Sequence, residues 1–305
     1  MKKSIFTAAM LVAALVSTAA VAKDTITVVN PSNKASPATV FAKSYEEALK
    51  QQDQFNVEFY QASSCADADK KYSSTKNAVM VFNADVRIAS LAKGVGCDYS
   101  ATAENTSLIT KSYLKFCRLP GSTKPFGETD TTVGIASVIL SKGLFDDLNG
   151  GKRKLIGVPY SGSKTVLAAV LAGDVDYGII GAGVVNSPLK EGKIECVYDY
   201  DPAAKNFIGA ALPGLKVPTL PIIQMIHTNT EDSAIAKAVA DAGKNTKFLD
   251  GIAFNGFSDT KNSGINADDV KVVDSHVNNV YEYYWKTDEP GTFDKLLGTV
   301  KGWFK

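Results

Sequence analysis

The stretch from Lys154 to Asp201, KLIGVPYSGSKTVLAAVLAGDVDYGIIGAGVVNSPLKEGKIECVYDYD, decides how the rest of the chain is read. Leu155 to Val158 is a short apolar run of strand character, and Pro159 to Lys164 is a polar, glycine-bearing loop that turns the chain. Thr165 opens a helix whose Val166, Leu167, Val170 and Leu171 form a buried stripe, and Gly173 with Asp174 follows the last turn as a C-cap signal. Asp176 to Ile180 then returns as a strand. Strand, crossover helix and strand make a βαβ unit, whose parallel strands leave loop and helix N-terminus open at their carboxyl edge. Open α/β sheets bind ligands at that edge.

The same alternation runs through the first part of the chain. Thr25 to Val29 is a β-rich strand, broken by Asn30-Pro31-Ser32-Asn33-Lys34-Ala35-Ser36-Pro37, after which Thr39 to Leu49 reads as a helix. Val57 to Tyr60 is a second strand, followed by a loop to Cys65 and a polar helix through Lys71; Ala78 to Phe82 and Asn83 to Lys93 repeat the pattern. Such repetition predicts a doubly wound parallel sheet. Tyr113 to Cys117 is a further strand, the loop Gly121 to Glu128 reads as a crossing, and Thr132 to Ala136 with the helix Ser137 to Leu148 starts a second unit. Pro221 to His227 reads as the return crossing, and Ile235 to Ala242 as a helix beyond it. Two crossings predict an α/β protein of two hinged lobes with a cleft between them, each lobe a doubly wound, mostly parallel sheet with helices on both faces.

The central stretch also carries a pattern: Tyr160 and Gly162 in a loop, a helix to Leu171, Ala172-Gly173-Asp174-Val175-Asp176, Pro188, Glu191-Gly192-Lys193-Ile194, and downstream Val217-Pro218-Thr219-Leu220. In these residues the chain resembles the substrate-binding proteins of tripartite tricarboxylate transporters. The resemblance implies the type II periplasmic binding fold, a small carboxylate or related solute as ligand, and membrane permease subunits as partners. It implies residues 23–118 as the first part of lobe 1, 119–227 as lobe 2, and 228–305 as a return to lobe 1 with C-terminal helices.

Residues 1–22 read as a secretory signal peptide: Met1-Lys2-Lys3 is a basic tip, Ile5 to Val16 an apolar run, and Ala20-Val21-Ala22 a small-residue cleavage site. An uncleaved anchor is the competing reading, and the apolar run is short for a span. The expected location is the periplasm. Of 305 residues, 33 are Lys or Arg and 32 Asp or Glu; without Lys2 and Lys3 the balance is 31 to 32, net −1. A near-neutral chain has no electrostatic footprint for nucleic acid or an anionic membrane. A monomer is expected.

Cys65, Cys97, Cys117 and Cys196 form an even set, which in an exported protein predicts disulfides with three possible pairings. Cys65 with Cys97 ties neighbouring loops of lobe 1, and Cys117 with Cys196 joins strands that the resemblance places together in lobe 2; this is the preferred pairing. No Cys-x-x-Cys pair or neighbouring histidine points to a metal. No cofactor is expected.

Ser161, Ser163 and Thr165 place hydroxyls, and Gly162 a backbone N–H, at a helix N-terminus, where unsatisfied donors and partial positive charge suit a carboxylate or phosphate. Lys164 adds a charge. The plainer alternative makes Ser163 a cap and leaves Lys164 solvated. Ser32, Lys34 and Ser36 in the first loop, Ser63 and Ser64 in the second, Asn83 in the third and Ser137 in the second unit occupy equivalent places. The first loop departs from the resembled family, which has a glycine-rich turn there; Pro31-Ser32-Asn33-Lys34 has none, so either Lys34 substitutes or the ligand class differs. Tyr160 and Phe82 flank a ligand's apolar body or pack their lobes.

Enzyme signals are weak. His227 and His276 each lack a second metal-ligand type at ligand spacing, and Tyr160-Ser161-Gly162 lacks the upstream glycine of a nucleophile elbow. Gly178-x-x-Gly181-x-Gly183 has Asn186 where a dinucleotide fingerprint has its last glycine. The expectation is an exported binding protein without catalysis that delivers an anionic solute to a transporter; the alternative is a periplasmic sensor presenting its closed state to a receptor.

Overall fold

The computed structural model describes residues 23–285, apart from 33, 35, 95, 98–100, 128–129, 137–138, 150–154, 213–214 and 216–220. The expected signal peptide, the Val217–Leu220 landmark, Ser137 and the last residues of the expected C-terminal helices, 286–305, lie outside the described residues.

The chain begins with β1 (Thr25–Asn30), α1 (Pro37–Lys50), β2 (Asn56–Gln61), α2 (Cys65–Ser74), β3 (Ala78–Asn83), α3 (Ala84–Lys93) and β4 (Thr106–Ser112). Next come β5 (Leu114–Arg118), β6 (Thr131–Ala136), α4 (Ile139–Asn149), β7 (Leu155–Tyr160), α5 (Ser163–Ala172), β8 (Tyr177–Gly181), α6 (Ala182–Lys190), β9 (Glu195–Asp199) and the short α7 (Ile208–Ala211). The last elements are β10 (Ile222–Thr228), α8 (Ser233–Ala242), α9 (Thr246–Phe254), β11 (Phe257–Lys261) and α10 (Ala267–Trp285). None of the described helices is long and apolar enough to cross a membrane.

Two sheets form, a six-stranded one in the order β11-β4-β10-β3-β1-β2 and a five-stranded one in the order β7-β6-β8-β5-β9. Each is mixed where the sequence reading had them mostly parallel. In the first, β2, β1 and β3 run parallel and β10 joins antiparallel to β3; in the second, β7, β6 and β8 run parallel and β5 joins antiparallel to β8. The βαβ repeats read from the sequence are therefore the parallel half of each sheet.

Both crossings fall earlier than the sequence reading places them. The chain changes sheets at Tyr113, because β4 pairs in the first sheet and β5 in the second. The loop from Gly121 leads onward within the second sheet. The return is complete before Ile222, since β10 lies between β3 and β4 in the first sheet. Its apolar run, IIQMIHT, is the mark of a strand covered on both faces, not of a connection.

Local chemistry sets the helix starts. Ser36 caps α1, accepting from the Ala38 N–H at 3.2 Å, with Pro37 in the first turn where its missing N–H costs nothing. Asn83 caps α3 through the N–H groups of Asp85 and Val86, and Asp232 caps α8 through those of Ala234 and Ile235. β3 is buried at every position, as expected of a strand sandwiched by helices.

Aromatic rings fill the space between α1, α9 and β11. Phe41 lies 5.7 Å from Phe248 and 5.3 Å from Phe257, while the buried Tyr45 donates its hydroxyl to the Val239 carbonyl at 2.6 Å. In the second lobe Phe116 stacks on Tyr177 at 4.8 Å, with Phe126 edge-on to both. His227 is fully buried on β10 between Tyr72 and Phe82, and burial, aided by the positive Arg87, pulls its pKa down to about 4. It is a neutral core residue.

The disulfides join Cys65 to Cys97 and Cys117 to Cys196, the preferred pairing. Cys117 and Cys196 are register partners on β5 and β9, beside the Lys115–Asp199 ion pair on the same strands. The bond closes a separation of 79 residues, and restricting a loop of that length in the unfolded chain is worth about 4 kcal/mol. Replacing both cysteines by alanine is therefore expected to lower the unfolding free energy by about that amount in urea titrations. A loss under about 0.5 kcal/mol, the scale of an ordinary surface change, would show that the pairing does not stabilise the lobe.

Candidate functional site

The seam between the sheets lies where β4 leaves the first sheet beside the start of β10. Ser112, at the end of β4, pairs with Ile222, at the start of β10, and the Tyr113 carbonyl accepts from Ala182 N–H at 3.0 Å. Here a cavity of about 40 Å³ opens. Ser36, Pro37 and Ala38 bring the N-terminus of α1 to it, and Asn83 with Asp85 brings that of α3. From the second lobe come Ser163 at the start of α5 and Gly181 with Gly183 at the start of α6. Ser112, Leu114, Ile222 and Gln224 line it from the strands, and Asn255 and Phe257 from the α9–β11 turn. Helix N-termini carry N–H groups without intrahelical acceptors and a partial positive charge, so their meeting suits an anionic or acceptor-rich group.

Of the residues singled out from the sequence, Ser36, Asn83 and Ser163 line this cavity. Ser163 is buried and accepts from the Gly181 N–H at 3.2 Å, which ties the starts of α5 and α6 together. Gly162 and Thr165 close the first turn of α5, the Thr165 hydroxyl accepting from Gly162 N–H at 3.1 Å and donating to its carbonyl at 2.7 Å. Ser161 lies within 3.3 Å of the same hydroxyl, exposed. Lys164 and Lys34 are exposed and outside the cavity wall. Ser63 and Ser64 are spent on Asp67, one donating to its carboxylate and the other accepting from its N–H. Tyr160 is half-buried beside β6, and Phe82 is buried in the core of the first lobe.

Ser32 is buried in the first loop, where a side-chain network replaces the missing glycine turn. Asn30 accepts from Ser32 N–H at 3.2 Å and donates to Thr39 Oγ1 at 2.8 Å and Gln61 Oε1 at 3.0 Å, while Gln61 donates to the Ser32 carbonyl at 2.6 Å. The loop is thus held by two amides on β1 and β2.

Sequence reasoning missed Asp85, Ser112, Gln224 and Asn255. A glutamine inside the apolar run of β10 was the available signal, since a polar residue in a strand buried on both faces has to be paired or used. Burial pushes the Asp85 carboxyl up to about 7. Among the described residues no group of metal-ligating side chains gathers here or elsewhere.

Beside the cavity the lobes touch. A side chain on Gly183 would begin 2.1 Å from the Asn255 carbonyl oxygen, and one on Gly256, whose φ is 78°, would begin 2.6 Å from Ala182 Cβ. Around this contact Asn186 Nδ2 donates to the Phe254 carbonyl at 2.8 Å, and Lys190 lies over the Phe254 ring at 5.5 Å.

Two predictions follow from this geometry. The unfolded chain releases a carboxyl proton near the ordinary value of about 4, while folded Asp85 holds it to about 7. Raising the pH through that window therefore costs the native state stability. Asp85→Asn is expected to gain in melting temperature over the natural protein as pH rises from 4 to 7; a constant difference would remove the burial argument. Gly183→Val is expected to prop the lobes apart, seen in small-angle scattering as a larger radius of gyration, with unfolding cooperativity retained. An unchanged radius would mean that the α6 contact does not set the closed position.

No family model matches the sequence, and no curated protein matches it. Solved structures do. The periplasmic binding protein BugD superposes with a TM-score of 0.64 at 14% identity, over 86% of this chain and 97% of that one. MatC from Rhodopseudomonas palustris, with bound malate, gives 0.60 at 15% identity over 86% and 99%. Rpa4515 from R. palustris, with adipate, gives 0.58 at 14% identity over 92% and 98%. At such identities the likeness carries architecture: the chain has the two-lobed α/β fold of the periplasmic binding proteins.

Proposed function

We propose that this protein is an exported solute-binding protein that captures a small carboxylate-bearing organic solute between its lobes and delivers it to the permease subunits of a membrane transporter. The observation that carries the proposal is the convergence of the α1, α3, α5 and α6 N-termini on one cavity at the seam of two lobes. Donors from both lobes reach a shared carboxylate only when the lobes are together, so binding and closure are one event. Malate in MatC and adipate in Rpa4515, proteins of the same architecture, support a carboxylate. The cavity of about 40 Å³ is far below the roughly 300 Å³ and more of an ordinary ligand pocket. Entry therefore requires the lobes to part. The disulfides suit an oxidising exported compartment.

Thermal unfolding of the protein lacking residues 1–22 against mono-, di- and tricarboxylates, amino acids, phosphonates and nucleosides tests the reading. A solute at a hundred times its dissociation constant adds about 2.7 kcal/mol to the native state, or several degrees at roughly 2–4 °C per kcal/mol. A carboxylate-bearing compound is expected to give that shift, and Ser163→Ala to reduce it. Deleting the gene is expected to abolish uptake of the same compound. A shift from nucleosides or phosphonates alone would refute the carboxylate, and unimpaired uptake would refute delivery.

A further inference from the structure

Beside the N-terminus of α3 the cavity wall carries groups of the reverse polarity. Gln224 stands on β10 in register with Asn83 on one side and Thr110 on the other, is wholly buried, and lines the cavity. Neither its Oε1 nor its Nε2 has a hydrogen-bond partner among the described residues. Asp85, in the first turn of α3, also lines the cavity, and its Oδ1 is closed off without a partner. Among the described residues no lysine or arginine shares the lining.

Two acceptors and one amide donor are thus held dry at the same wall. A buried polar group left unpaired destabilises the fold, and these groups sit where a solute would pair them. We propose that Asp85 and Gln224 set the specificity of the cleft, selecting a solute that carries an N–H-bearing group, ammonium or carboxamide, beside its carboxylate, in preference to a di- or tricarboxylate. The inference rests on the solute-capture reading above and sharpens it. A second carboxylate would pair with Gln224 Nε2 alone, leave Oε1 unpaired, and face the Asp85 carboxyl with no lysine or arginine among the described lining residues to neutralise the pair. An ammonium satisfies both acceptors; a carboxamide satisfies the Gln224 amide reciprocally and gives its second N–H to Asp85.

The test is calorimetric and thermal titration with propionate, succinate, β-alanine and succinamate, and with the same kinds of compound at longer chain lengths, on the natural protein, Asp85→Asn and Gln224→Leu. Nitrogen-bearing compounds are expected to bind at least about tenfold more tightly than dicarboxylates of equal length, the scale of one pairing left unmade in a dry site. Gln224→Leu is expected to lose that preference while its solute-free melting temperature rises, because an unpaired buried amide has been removed; a purely structural role would lower it. Asp85→Asn is expected to lose ammonium compounds more than amides, which tells the two groups apart. Dicarboxylates bound as tightly as the nitrogen compounds, or a preference unchanged in both variants, would overturn the inference and leave solute capture standing. No binding by any compound of the panel would overturn both.

Discussion

One residue, Tyr113, separates the strand that ends the first sheet's share of the chain from the strand that begins the second's. That economy constrains everything around it. Ser112 pairs with Ile222 while Leu114 pairs with Gly181, so the chain leaves the first sheet beside the strand by which it re-enters it and joins the second sheet one residue later. A joint so short leaves the lobes few ways to move apart, essentially a rotation about it. It also fixes which ends of the elements face each other. The Tyr113 carbonyl accepts from Ala182, the first residue of α6, so the hinge itself holds one of the helix N-termini that face the cleft.

Closure depends on backbone approaching backbone. Gly183 lies against Asn255 and Gly256 against Ala182, so bare main chain from each lobe forms the contact. Contacts of that kind gain dispersion energy over a small area and carry little apolar surface. The surrounding pairs, Asn186 with the Phe254 carbonyl and Lys190 over the Phe254 ring, are at the solvent edge, where polar contacts are worth little. The closed arrangement is therefore weakly held by the protein alone. Such a balance suits the proposed capture and release of a solute, because a strongly self-closed cleft would bind nothing from solution.

Much of the architecture was legible because it is local. The βαβ rhythm follows from residue chemistry within a few positions, as does the helix read as opening at Thr165, which begins two residues earlier at Ser163 with Gly162 and not Ser163 at the cap position, and the cysteine pairing follows from compartment and resemblance. What escaped is decided by partners distant in sequence. TSLITKS and LKFCR are separated by Tyr113 with no glycine or proline to mark a change of sheet, so both read as material of one lobe. β11, FSDTK, buries only its phenylalanine fully and owes its strand character to pairing with β4. The two lysines read as possible sources of charge, Lys34 and Lys164, are exposed and absent from the cavity lining. Asp85 and Gln224 carry no local signal that joins them; the antiparallel pairing of β10 with β3 sets Gln224 opposite Asn83, two residues before Asp85, on one cavity.

The first loop shows how a departure from a pattern is compensated. A glycine-rich turn lets the chain approach a ligand because backbone without side chains needs little room. Pro31 and Ser32 cannot do this by conformation, so the loop is positioned instead by Asn30 and Gln61, whose amides bind the Ser32 N–H and carbonyl and, through Thr39, the first turn of α1. The result is stiffer than a glycine turn, since moving Ser32 breaks hydrogen bonds to two different strands. A stiff loop fixes the α1 N-terminus relative to β1 and β2 and leaves it less able to adapt to solutes of different size. With no cationic side chain among the described residues of the cavity wall and a rigid turn at the start of α1, discrimination under the proposed reading falls to the buried polar groups, Asp85 and Gln224. Affinity in this cleft is then set by how completely a solute pairs fixed donors and fixed acceptors, not by charge attraction.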